Sequence, residues 1–436
     1  MSERAETGRI GVDPTLLARV TAEVAEAFDG DERVAETFSR IMTDNLASVT
    51  ERLGDGTTFV LTGDIPAMWL RDSGAQVRPY LVLAAEDPAL TEVLVGVLRR
   101  QLEFIVLDPY ANAFKRGPEP SWHADDETEM GPQIWERKYE IDSLCFPLDL
   151  GHLLWRVTGR TDVVDSRYAA AAEATLALWE LEQDHSRSTY RFQRRSCPPT
   201  DTLTSDGRGT PVGWTGMSWS AFRPSDDACT HHYNVPGNMF AHAVLGRLEE
   251  LAAAGLLEEE LGRRAAALRA QIGEGIETHG RVTLADGGEV YAYEVDGLGS
   301  QLVMDDANMP SLLSAPLSGY LAPDDPRYLA TREVLLSERN PYYYAGSAAR
   351  GIGSPHTPER YVWPIALAVQ GLTSLDEEEK RRIVRLLCDT TGGTGLMHEG
   401  FDCDDPSRFT REWFSWANAM FCELVLDVSG RRLPSR

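Results

Sequence analysis

Apolar residues recur at three- and four-residue intervals along most of the chain, the spacing of amphipathic helices. The pattern covers 14–30 (PTLLARVTAEVAEAFDG) and 33–53, and returns near 88–107, 139–158, 161–184, 235–254 and 256–276. Further runs lie near 326–338, 358–372, 376–390 and 410–427. Between two of them, AAAGLLEEELGRRAAALRAQIGEGI predicts a pair of helices split by a turn. Strand signals are few. TTFVLTG at 57–63 is one, and TLADGGEVYAYEVDG at 283–297 predicts a hairpin around its Asp-Gly-Gly turn. Periodicity alone therefore gives a mostly α protein, and a two-domain helical chain fits it nearly as well as a toroid. No Ser/Gly/Pro-rich linker, charge block or fixed-period repeat divides the sequence. Helix, polar loop, helix is the recurring layout. It suits an (α/α)6 barrel, a toroid of helical hairpins with its loops gathered at one end and short β-hairpins in those loops. The expectation is one such domain over 1–436.

Composition narrows the partners. Against 42 Lys and Arg stand 68 Asp and Glu, a net charge of −26. That field repels phosphate backbones and anionic lipid, which makes nucleic acid and membrane surfaces poor expected partners and leaves neutral or cationic ligands open. Neither a signal-peptide pattern at the start nor a run of the roughly 20 apolar residues a membrane span needs is visible. The six cysteines lack CxxC spacing and read as free thiols, so the expected location is cytoplasmic.

The loops between helices hold the chemistry. TGDIPAMWLRDSGAQVRPYL (62–81) predicts a helix capped by Asp64, with Trp69, Arg71 and Asp72 on its first turns. A Trp offers an apolar platform to a pyranose and an Arg–Asp pair fixes hydroxyls; an internal ion pair is the plain alternative. GWTGMSWSAFRPSDDACTHHYNVPGN (213–238) sets Asp226 beside Asp227 among several rings. If both are buried they compete for ionisation, and one is pushed toward the protonated state a general acid needs. Arg223 is placed to hold one of them ionised. The plain alternative is a solvated turn, and His231-His232 lacks metal-ligand spacing. Farther on, LVMDDANMPSLL and NPYYYAGSAARGIGSPHTPERYVWP bring Asn308 and His356 to what reads as a binding wall, or as core beneath a long loop. In GLMHEGFDCDDPSRFTREWFSWANAMF, Glu399 follows His398 in a Gly-flanked turn; the acidic run after it lacks the order of a calcium loop. Carboxyl groups with Trp, Tyr, Arg and His on an acidic helical scaffold fit a carbohydrate site, where one protonated and one ionised carboxyl group cleave a glycosidic bond.

The blocks TGDIPAMWLRDS, SAFRPSDDACTHHYNVPGNMFA, LVMDDANMPSLL, GIGSPHTP…VWPIAL and GLMHEGF…TREWFSWANAMF together resemble glycoside hydrolase family 125, in order and from about residue 60 to 425. These are metal-independent exo-α-1,6-mannosidases of bacteria and fungi. The resemblance implies the (α/α)6 barrel, no cofactor or metal, and inverting removal of terminal mannose from a mannose-containing oligosaccharide such as an N-glycan or mannan fragment. It puts the general acid at Asp226, with Asp227 the alternative, and the general base at Glu399. It further implies that Trp69, Arg71, Asp72, Arg223, Asn308, His356 and His398 line the terminal-sugar subsite. The rival readings are a trehalase-like hydrolase, a sugar epimerase, a calcium-dependent mannosidase and a non-catalytic glycan-binding protein.

Overall fold

The structure is a computed structural model that describes residues 10–117 and 120–434. Its helices form two concentric rings. Around the inside, Leu70–Gln76 packs on Cys145–Thr158, which packs on Val235–Ala253, which packs on Ala315–Ser318. Pro364–Leu372 packs on Ser415–Val428, and Ser415–Val428 closes the ring onto Leu70–Gln76. Outside them lie Pro88–Leu107, Ser166–Glu182, Glu259–His279, Pro326–Leu335, Glu377–Asp389 and Glu32–Val49, the last joined by Pro14–Ala27. The fold is thus mostly α, an (α/α)6 barrel with short strands in its loops.

Sequence dictates which ring each helix joins. Glu377–Asp389 buries Ile383, Val384, Leu387 and Cys388 in a single stripe with Lys380, which pairs with Asp427, and turns its other charged residues outward. Leu70–Gln76 is buried on every side, and Pro364–Leu372 on nearly every side, as helices in the middle of a protein must be. One continuous apolar core runs from Val12 to Val428.

Helix ends depart from the periodic pattern where proline or pairing intervenes. The 139–158 run becomes helical only at Cys145, after a 3-10 turn at Ile141–Leu144. Pro147 explains this, since a helix begun at 139 would drive its ring into the Ser143 carbonyl. Within Cys145–Thr158 it sits in the first turn, where its missing N–H costs nothing. The 33–53 run stops at Val49 because Thr50–Arg52 pairs with Thr58–Val60. The hairpin forms as expected, Arg281–Thr283 against Glu289–Tyr291. Asp64 does not cap a helix. Its carboxylate binds Arg411, Met68–Trp69 pairs with Ala113–Phe114, and the helix starts at Leu70 with no side-chain cap. Trp69 is therefore on a strand, with Arg71 and Asp72 in the helix's first turn.

The inner helices share one property that positions the site. Each is preceded by a long loop, and segments 62–69, 137–144, 213–234, 303–314, 340–363 and 391–414 all enter an inner helix at its N-terminus. The chemistry-bearing loops are these.

Candidate active site

A cleft of about 290 Å³ is lined by Thr62, Ile65, Trp69, Arg71, Asp72, Pro224, Ser225, Asp226, Asn308, His356, Trp363, Glu399, Arg411, Phe414 and Trp416. Among the expected site residues, Trp69, Arg71, Asp72, Asp226, Asn308, His356 and Glu399 converge there.

Asp226 and Asp227 are adjacent but do different work. Their turn is pinned by bonds from the Arg223 amide to the Asp227 carbonyl (2.7 Å) and from the Asp226 amide to the Arg223 carbonyl (2.9 Å). Asp226 sits at φ +66°, a left-handed conformation that Asp tolerates better than most residues. Lys138 donates to its backbone carbonyl at 2.8 Å. The turn presents the Asp226 side chain to the cleft, where Arg71 Nη2 meets Oδ1 at 3.0 Å and Asn112 Nδ2 approaches at 3.4 Å. Asp227 is buried behind it, with Oδ1 3.3 Å from His356 Nδ1.

Arg71 is the hub. It meets Glu140 at 2.5 Å, Asp142 at 3.2 Å and Asp226 at 3.0 Å, with Asp72 at 3.9 Å. Burial pushes Asp72 up to about 6, with Arg71 pulling the other way. Glu140 and Asp142 stand in the segment before Cys145–Thr158, and reading 139–158 as one helix hides them. Four charged residues within seven (RKYEIDS) between buried apolar neighbours are the signal that marks them.

Glu399 lies at the opposite end of the sequence, just before the central strand Gly400–Asp402 of a three-stranded sheet. Its amide donates to the Thr410 carbonyl, and Arg411 Nη1 is 3.6 Å from its Oε1. Gly400 gives the strand a close approach to the Trp363 ring, from which a Cβ would lie only 3.1 Å away. Arg411, which the sequence reading missed, also binds Asp64 and stacks 4.3 Å from the centre of Phe414. The acidic run is consumed by its own turn: Asp402 accepts from the Asp404 and Asp405 amides, and Asp404 pairs with Arg360.

Residues 31–426 match the sequence profile of the metal-independent alpha-mannosidases, GH125. The chain belongs to this family. As a GH125 protein it is a glycoside hydrolase of α-mannosides. It is 39% identical to the meiotically up-regulated gene 157 protein of Schizosaccharomyces pombe, over 92% of this chain and 83% of that one. A Streptococcus pneumoniae metal-independent α-mannosidase, solved in a non-productive complex with α-1,6-mannobiose, superposes with a TM-score of 0.94. It is 49% identical, covering 96% of this chain and 99% of that one. A glycosidase at 15% identity and TM-score 0.56 shares the fold, over 97% of this chain and all of its own.

Two expected subsite residues of this GH125 chain lie outside the cleft lining. Arg223 is buried and forks onto Glu294 at 2.5 and 3.1 Å, and Glu294 in turn accepts from the Thr230 and His231 amides. It braces the loop and does not hold either aspartate ionised; for Asp226 that work falls to Arg71. His398 is also buried, stacked 3.7 Å from Phe409, with its ring nitrogens 2.9 Å from the Glu412 carbonyl and 3.0 Å from that of Thr391. It is not part of the cleft lining and fixes the turn that carries Glu399. His232 is likewise internal, stacked on Trp219 and bonded at both ring nitrogens.

His356 lends itself to a direct test. Burial alone would lower its pKa, but the bond to Asp227 and the charges of Asp227, Asp226 and Glu399 outweigh that and raise it to about 9. The imidazolium therefore stabilises the fold below the ordinary histidine value, and that contribution is lost as pH rises through about 9. Asp227→Asn is expected to bring the titration down toward roughly 6.5, read by nitrogen-15 NMR of the ring. An unchanged midpoint would show that Asp227 does not govern it.

Proposed function

We propose that the protein is an exo-acting α-1,6-mannosidase that inverts at the anomeric carbon, with Asp226 as general acid and Glu399 as general base, within one catalytic domain. The observation that carries this reading is the cleft itself. It brings together two carboxyl groups 173 residues apart in sequence, each held by a different arginine, Asp226 by Arg71 and Glu399 by Arg411. Asp226 faces the cleft while Asp227 is turned to His356, which favours Asp226 as the donor. The aromatic lining of Trp69, Trp363, Phe414 and Trp416 supplies faces for a pyranose. The 1,6 linkage is supported by the disaccharide bound to the Streptococcus pneumoniae relative.

In the reaction, the Asp226 carboxyl group donates its proton to the glycosidic oxygen as the C1–O bond breaks. Glu399 takes a proton from a water that attacks C1 from the other face. His356, charged and bonded to Asp227, and Asn308, bonded to Asp306, stand ready to hold hydroxyl groups of the ring. No helix among the described residues is long and apolar enough to cross a membrane. A cytoplasmic site of action on N-glycan or mannan fragments is part of the same proposal.

The test is incubation with α-1,6-, α-1,2- and α-1,3-mannobiose, followed by proton NMR of the first product. β-Mannose released from the 1,6-linked sugar alone is the expected result. α-Mannose appearing first would overturn inversion, and hydrolysis of the other linkages at equal rate would overturn the specificity. Activity in EDTA should equal that in its absence.

A further inference from the structure

The acid groups around Arg71 outnumber its charge. Glu140, Asp142, Asp226 and Asp72 all lie within 4 Å of one guanidinium in a region nearly closed to water. Lys138 offsets part of the excess, but its ammonium is shared with Asp201 and with the Asp226 backbone. Charges left uncompensated in such a place hold protons instead. The two ends of the cluster differ in depth: the Glu140 side chain is completely buried and that of Asp226 is 27% exposed to the cleft. Burial pushes Glu140 well up, and Asp226, hydrogen-bonded to it, pushes it further against the pull of Arg71. Burial would raise Asp226 as well, but Arg71, the hydrogen bond from Glu140, Lys138 and His356 hold it well below the usual carboxylate range. The two carboxyl groups meet on one nitrogen, Arg71 Nη2, which is 3.4 Å from Glu140 Oε1 and 3.0 Å from Asp226 Oδ1. The deeper group, which resists ionisation more, thus lies one step from where glycosidic cleavage needs a proton.

We propose that Glu140 is the proton store of the reaction, a positioning residue that charges Asp226 through their shared hydrogen bond when a sugar fills the cleft. This rests on Asp226 being the general acid. A sugar ring displaces the water around the exposed part of Asp226, which disfavours its ionised form. The proton then moves from Glu140 to Asp226, and Glu140 becomes a carboxylate stabilised by Arg71 and by the Ser143 hydroxyl, which donates to Oε2 at 2.7 Å. Asp226 gives that proton to the leaving oxygen. Solvent returns one proton to the pair, and Glu399 releases to solvent the proton it took from water, so the cycle balances. The charged groups facing the pair are Arg71 and Asp72 from the helix Leu70–Gln76, Lys138 and Asp142 from the segment before Cys145, Asp227 beside Asp226, and His356 from across the cleft.

The experiment measures kcat/KM against pH on α-1,6-mannobiose and on 2,4-dinitrophenyl α-mannoside, whose leaving group needs no proton. Glu140→Gln is expected to lose about tenfold or more on the disaccharide beyond any loss on the aryl mannoside. Its alkaline limb moves to lower pH, because Asp226 is left alone with Arg71 and Lys138. Ser143→Ala moves the same limb the other way, since the Glu140 carboxylate loses a donor and keeps its proton longer. Equal losses of Glu140→Gln on both substrates, or a Ser143→Ala limb that fails to rise, overturn the proposal. Where Glu140→Gln does not fold, Ser143→Ala decides alone. Asp226→Asn separates the two levels. If it too loses equally on both substrates, the assignment of the general acid falls. If only Asp226→Asn shows dependence on the leaving group, the proton store falls and the acid stands.

Discussion

Asp226→Asn lowers turnover of α-1,6-mannobiose by about 10²–10⁴-fold, the range that a positioned acid or base contributes. The substitution keeps the volume of the side chain and leaves Arg71 with three carboxyl partners, so the thermal midpoint stays close to that of the parent. Glu399→Gln gives a loss of the same order by removing the base. Asp227→Asn, one residue away, costs less, because its carboxyl group meets His356 behind the cleft wall. Steady-state kinetics on purified, folded variants checks the order. A loss below tenfold for either Asp226→Asn or Glu399→Gln would remove that residue from the chemistry, and equal losses at 226 and 227 would remove the distinction between them.

Arg71→Met has the largest expected effect on stability. It leaves three buried carboxyl groups, Asp72, Glu140 and Asp142, and the partly exposed Asp226 without the cation they share, and breaking a buried pair costs about 3–5 kcal/mol. The expected fall in thermal midpoint is on the order of 3–5 °C for a chain of this length. Its pH dependence has a definite sign. Asp72 has a folded-state pKa of about 6, above its ordinary value, so its contribution is fully present at low pH and is lost as pH rises through about 6. Without Arg71 the carboxyl groups resist ionisation more strongly, and the gap between variant and parent widens from pH 5 to pH 8. Thermal unfolding at the two pH values measures it. A gap that is constant or narrows with rising pH would show that Arg71 does not act through these charges.

The sequence carried the scaffold well because scaffold and signal share one cause. Pro88–Leu107 is helical over the very stretch its apolar spacing marks, and Glu377–Asp389 shows the stripe in its burial. The loops were legible as chemistry because they gather rings and carboxyl groups that the helical pattern does not need. Direction was not legible. Nothing in the order Arg223, Asp226, Asp227 says that the arginine turns to Glu294, one aspartate to the cleft and the other to His356. His398 and Glu399 are neighbours that face opposite ways for the same reason: which side a loop residue presents is set by the strand pairing and stacking around it. Glu140 and Asp142 were obscured because Tyr139, Ile141 and Leu144 continue the apolar spacing of the helix that follows. Pro147 was the mark that this helix had to begin later.

The helix Ser415–Val428 packs both on Glu32–Val49 and on Leu70–Gln76, and it follows directly on the loop that carries Glu399. One segment, 391–428, therefore supplies both the helix that closes the inner ring and Glu399, the proposed base. Without that segment Arg71, Glu140 and Asp226 would face a groove open on one side, since Glu399, Arg411, Phe414 and Trp416 form that wall of the cleft.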